Sequence, residues 1–262
     1  MKKLLLSGAL ALREKLEVQF KNALSDLNKK FKNDQGLFSG VRKTYESIAG
    51  YADDPSKREF KLVESTVDEQ LGWFNEHNSN YLELLFQVER TNATGPKAEL
   101  VVDGISWGEY TSLELLRLKS LLENPKNFSD MFASLPVRSE KQLWHLSADD
   151  NYKGRGVWET ERDDSTARTT LKDSKILEDP HYDSSNTNRP PVTVTVDRIV
   201  EIGKMSSQYF TGAISLRRRA DMIVKLNKLQ QAVTVALENA NQVQLEETDL
   251  GNKVMGFFFK ES

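Results

Sequence analysis

A chain of 262 residues, 38% hydrophobic and 29% charged, is long enough to bury a sizeable core and has the composition of an ordinary soluble protein. Its 36 basic residues against 39 acidic ones give a net charge of -3, which excludes the global basic field that gathers nucleic acid without sequence preference. The absence of cysteine excludes disulfides, a thiolate nucleophile and Cys-ligated metal centres, and fits a reducing, cytoplasmic setting.

The opening MKKLLLSGALALREKL has the basic start and apolar run of a signal peptide. It meets Arg13, Glu14 and Lys15 without a small-residue cleavage site, so it is read as the start of a helix. No apolar stretch approaches the roughly 20 residues of a membrane span, and no membrane partner is expected. Leu5, Ala9, Leu12, Leu16, Phe20, Ala23, Leu27 and Phe31 recur at steps of three and four, which predicts one buried helical face. A second such pattern runs through Val67, Leu71, Phe74, Asn78, Tyr81, Leu85 and Val88, with Asn78 placed to fix register.

AELVVDGIS, with Asp103-Gly104 between apolar runs, predicts a hairpin, and TSLELLRLKSLLENP a helix stopped at Asn124 and Pro125. Between Lys141 and Pro191, KQLWHLS and RGVWETER alternate with a polar stretch, and VTVTV that follows is strand-like. The most regular seam is Met222, Leu226, Leu229, Val233, Ala236, Ala240 and Val243; its small alanines predict a helix packed along its length against another helix, in the same chain or a second copy. VMGFFF predicts a terminal strand.

These elements predict an α+β fold, mainly α, in which long amphipathic, coiled-coil-like helices form a packed frame carrying a β-rich insertion. One domain spans 1–262, with the frame at 1–32, 66–135 and 205–245, the insertion at 141–200 and the C-terminal strand at 253–260.

GLFSGVRKTYESI, AELVVDGISWGEY, MFASLPVRSEKQLW, YFTGAIS, LQQAVTVALENANQVQ and GNKVMGFFF occur in an order and wording that resembles an uncharacterised bacterial and phage protein family. The resemblance covers nearly the whole chain. It implies a mixed helical and β soluble protein with no assigned activity, and it transfers no catalytic residue. Where the family carries a basic segment with a His-Pro pair, this chain has HYDSSNTNRPP, with Arg189 before Pro190. The change lies in a loop, where specificity commonly varies.

His77, His145 and His181 lie far apart, with no HExxH-like spacing, and are read as structural or solvated. The acid pairs Asp53-Asp54, Asp149-Asp150 and Asp163-Asp164 read as solvated turns, and KGRG at 153–156 as a β-turn that lacks the P-loop spacing. No catalytic residue, metal ligand or cofactor is assigned, and no enzyme activity is expected.

Two sets of side chains are candidate ligand-binding residues. Trp158 and Arg162, four apart on one predicted strand, share a face beside Arg155; an aromatic face next to guanidinium groups suits a planar anion such as a nucleotide. The alternative is a surface tryptophan covered by arginine stems. Arg217, Arg218 and Arg219 open the last helix against its dipole, a cost that a bound anion or a neighbouring subunit's acids relieve. A solvated helix end is the alternative there.

The function expected is a non-enzymatic homo-oligomer that binds and sequesters a small anionic, nucleotide-like ligand, as a phage protein countering a host immune signal would. The alternative is a structural or assembly protein, a virion or scaffold component, whose seams and terminal strand make subunit contacts. A nucleotide-directed enzyme with Asp163 and Asp164 as bases lacks a motif.

Overall fold

The computed structural model describes residues 6–93, 95–176 and 193–241. In chain order these form α1 (Leu6–Asn33), β1 (Ser39–Ser47), β2 (Glu59–Lys61), α2 (Val67–Asn92), β3 (Lys97–Val102), β4 (Ile105–Thr111), α3 (Ser112–Glu123), α4 (Asp130–Ser134), β5 (His145–Leu146), β6 (Trp158–Glu159), β7 (Asp163–Ile176), β8 (Thr193–Thr211) and α5 (Leu216–Ala240). The predicted terminal strand, His181, Arg189 and Val243 lie outside the described residues. No helix among the described residues is long and apolar enough to cross a membrane.

The α+β class holds, but the helical frame with a β insertion is overturned. About 50% of the described residues are helical and 29% are in strands, which form two antiparallel sheets. The larger sheet is no insertion, because β1 and β2 come from residues before α2, and β1, which carries β2 on one edge, pairs on the other with β8 from the far side of the sequence. β8 continues to Thr211 and α5 begins at Leu216, directly before the three arginines.

The chain divides into two compact units, one of residues 1–31, 73–135 and 217–262, the other of residues 32–72 and 136–216. In the helical unit, Phe20, Leu24, Leu27 and Phe31 of α1 are buried, as are Phe74, Tyr81, Leu85 and Val88 of α2. Asn78 is buried on that seam, but its Nδ2 donates to the Phe74 carbonyl 2.9 Å away, so its amide is satisfied within its own helix. The α5 seam is covered by a hairpin and a short helix rather than by a second long helix. Leu226, Val233, Ala236 and Ala240 form one core with Ala98 and Leu100 of β3 and Leu115 and Leu122 of α3. The alanines allow the hairpin, rather than a coiled-coil partner, to approach.

Local chemistry explains the hairpin and the helix that follows it. Asp103 and Gly104 both have positive φ, 52° and 77°, as a tight two-residue turn requires. Thr111 and Glu114 form a reciprocal capping box at the start of α3, which satisfies two otherwise orphaned amides.

The sheet unit is organised by β8. Its C-terminal half pairs with β1 from Ser39↔Thr211 to Ser47↔Gly203, and it pairs with β7 from Asp163↔Ser207 to Ile176↔Thr193. The β7 register skips Ile202, whose carbonyl instead accepts from Ile48 N at 3.0 Å and from the Tyr45 hydroxyl at 3.1 Å. A small core of Val63, Tyr152, Val157 and Phe210 underlies the sheet, and the Val63 amide donates to the Tyr152 hydroxyl at 3.1 Å.

Candidate functional site

The six candidate arginine and tryptophan residues are divided between the two units. Arg155, Trp158 and Arg162 belong to the sheet unit, and Arg217, Arg218 and Arg219 to the helical one.

Arg155 is held at every nitrogen. Its Nε donates to Glu69 Oε1 at 2.8 Å, Nη2 to Glu69 Oε2 and the Glu64 carbonyl, and Nη1 to the Val63 carbonyl. The Arg155 hydrogen bond lowers the Glu69 carboxyl below its usual range against the opposing effect of burial, and the Thr66 amide adds to it. A guanidinium with its donors used in this way is a clamp on the loop before α2 rather than an open anion binder. The glycines of KGRG serve the turn: Gly154 and Gly156 have φ of 76° and 71°.

Trp158 and Arg162 do not share a strand. β6 ends at Glu159, and Arg162 precedes β7, so the regular strand assumed from their spacing is not formed. One face of Trp158 is already covered, because Arg138 Cζ stands 3.9 Å from its ring centroid. Burial holds the Arg138 guanidinium below its ordinary value. Arg162 donates to Asp164 at 3.2 Å and to the Ser206 hydroxyl. It lines a groove of about 360 Å³ with Lys204, but Glu46 and Asp164 line it too, so two acids cancel two cations. That balance gives no field selective for an anion.

The three arginines stand in the first turn of α5, where the dipole disfavours them. Arg217 and Arg218 are exposed, and Arg219 is half-buried with its Nη1 3.4 Å from the Leu135 carbonyl, just after α4. Arg219 therefore gives its apolar-stripe position to a carbonyl left over at a helix end.

The closest approach to a catalytic arrangement is His145, Ser147 and Glu159. Both the imidazole, at 3.2 Å, and the Ser147 hydroxyl contact the two oxygens of Glu159. The acid lies between the other two, so the imidazole is not placed to take the serine proton. Asp149, from one of the acid pairs, accepts from Arg42 at 2.5 Å and caps the short turn that follows it.

A feature missed by the residue-by-residue reading is the end of the β7–β8 ribbon. Residues 193–201 of β8 pair with no strand except β7 among the described residues, because β1 pairs only with 203–211. Leu171 faces Arg198, Asp173 faces Val196 and Lys175 faces Val194, so Leu171, Val194 and Val196 share one face with Asp173, Lys175 and Arg198. The three apolar residues are Leu171, Val194 and Val196. All three are exposed. The alternating valines of VTVTV carried this signal, since such alternation marks a strand with one face meant for burial.

A protein-family model described as a family of unknown function matches residues 1–261, in keeping with the uncharacterised family that the sequence resembles. No curated protein and no solved structure matches the chain.

Proposed function

The chain belongs to that family, DUF7873, and from this premise, which carries no activity with it, we propose that the protein is a homo-oligomeric assembly component whose β7–β8 ribbon docks on the ribbon of a second copy. The observation that carries this reading is the exposure of Leu171, Val194 and Val196 on the end of a ribbon that, among the described residues, pairs there with no other strand. A lone two-stranded ribbon is marginal in water, and covering one face stabilises it.

Charge argues for a second copy as the occupant. β7 begins with Asp163 and Asp164 and ends near Lys172, Asp173 and Lys175. Two ribbons stacked face to face about a two-fold axis across the strands run antiparallel and bring the acidic end of each beside the basic end of the other. Burying six apolar side chains across such a contact contributes on the order of 6–10 kcal/mol, comparable to the cost of association. Assembly is therefore concentration-dependent.

Sedimentation of the full chain tests the reading. A mass that is a multiple of 29.8 kDa at tens of micromolar is expected, and Leu171→Asp with Val196→Asp is expected to return it to one chain with unchanged circular dichroism. A wild-type protein that sediments as a single chain at that concentration overturns it.

A further inference from the structure

The helical unit contains a cavity of about 200 Å³ between α1, α2 and α3 that none of the readings above uses. Tyr81 lines it. The residue as a whole is only 5% exposed, with its ring 5.0 Å from that of Phe20, and its hydroxyl forms no hydrogen bond among the described residues. No buried side-chain oxygen or nitrogen among the described residues lacks a partner, so this hydroxyl opens to the cavity, where a bound group can accept its proton.

Charge around the cavity is unbalanced. Glu17 is paired with Lys21 at 2.7 Å, and Glu89 contacts Arg13 at 3.5 Å and Arg117 at 3.9 Å. The lining itself holds two cations, Lys21 and Arg117, against one acid, Glu17. Arg117, which lines the cavity, reaches Glu89 only beyond hydrogen-bond distance, so its fork of donors remains available. Phe20 and Leu85 supply apolar wall on the other side.

We propose that this cavity binds a small organic monoanion, a carboxylate on a short apolar body, with its oxygens held by the Arg117 guanidinium and the Tyr81 hydroxyl. One negative charge completes the balance of the surrounding ions, and the planar guanidinium matches a carboxylate in a paired arrangement. The volume is below that of sites for drug-sized ligands, which limits the body to a few carbons or one ring. The site lies within the helical unit and does not depend on the ribbon contact.

Calorimetric titration of the full chain at constant ionic strength, with benzoate, isobutyrate and inorganic phosphate as probes, tests this. Saturable binding of benzoate or isobutyrate is expected, with phosphate weaker because it leaves the apolar wall uncovered. Tyr81→Phe and Arg117→Gln are each expected to weaken carboxylate binding by about tenfold or more. Without ligand, Tyr81→Phe is expected to melt at the wild-type temperature or above, because the hydroxyl it removes has no protein partner. No saturable binding by either carboxylate overturns the proposal. So does phosphate binding as tightly as they do, wild-type affinity in folded Tyr81→Phe, or a lower melting temperature in that variant.

Discussion

Tyr45 lies across the backbone of Gly203 on the neighbouring strand: a Cβ on Gly203 would overlap Tyr45 Cε2. The missing side chain lets the ring lie flat enough for its hydroxyl to reach the carbonyl of Ile202, the residue that the β7 register skips. Glycine and aromatic together hold the place where β8 passes from the sheet into the ribbon. Gly203→Ala is expected to destabilise the protein by about 1–3 kcal/mol, as overpacking does. Urea unfolding of Gly203→Ala, Tyr45→Ala and the double variant checks this: the second substitution should recover part of the loss of the first.

Removal of the cation above Trp158 should alter the tryptophan more than the fold. Arg138→Met is expected to cost about 0.5–2 kcal/mol of stability, the range of a partly desolvated cation–π contact. It should also shift tryptophan emission, and that shift should vanish in a Trp158→Phe background. An Arg138→Met spectrum identical to wild type would show that the contact at 3.9 Å is not held in solution.

Acid should weaken the clamp at Glu69. Its folded-state pKa is depressed by the Arg155 hydrogen bond, so its contribution is fully present above the ordinary value of 4.5 and is lost as pH falls through the lower folded value. The Glu69 side chain is 39% exposed, so solvent screening keeps the contribution small. Glu69→Gln should therefore unfold at lower urea than wild type at about pH 7, with the gap narrowing as pH falls below 4.5. An equal gap at every pH would show that the carboxylate charge is not what Arg155 holds.

Arg219→Met should have a small effect. The long contact to the Leu135 carbonyl and the relief of charge at the α5 start oppose each other, so the change is expected to stay within about 1 kcal/mol. Thermal unfolding measures it. A loss well beyond that would mean that the arginine carries a stronger partner.

Much of the burial was legible in the sequence. Steps of three and four in α1, α2 and α5 picked Phe20, Tyr81 and Val233, all buried, because a side chain's face is set by local helix geometry. The Asp103-Gly104 turn and the stop of α3 before Pro125 were legible for the same reason: they depend on φ and on capping within a few residues. β1 was not legible. Among its nine residues only Val41 and Tyr45 are large and apolar, and its partner β8 lies more than a hundred residues away in sequence.

The candidate site was legible as residue types but not as an arrangement. Spacing in the sequence placed Trp158 and Arg162 on one face, whereas the chain ends β6 between them and gives Trp158 to Arg138 and Arg162 to Ser206 and Asp164. Tyr81 was read as a seam residue, and it is one; the cation-rich cavity beside its hydroxyl arises from α1 and α3 packing around it.

The sequence by itself determined which faces are apolar, where turns fall and how helices begin, because each follows from backbone geometry over a few residues. Only the tertiary structure decided what covers those faces. The α5 seam fits a helix, a hairpin or a second copy equally well by periodicity, and it was the packing of Leu100 and Leu115 against Val233 that chose. The alternation of valines in the ribbon has the same form as that of a covered strand, and long-range pairing left its apolar face open. A side chain's direction is a local property, whereas its partner depends on chain segments brought together from far apart.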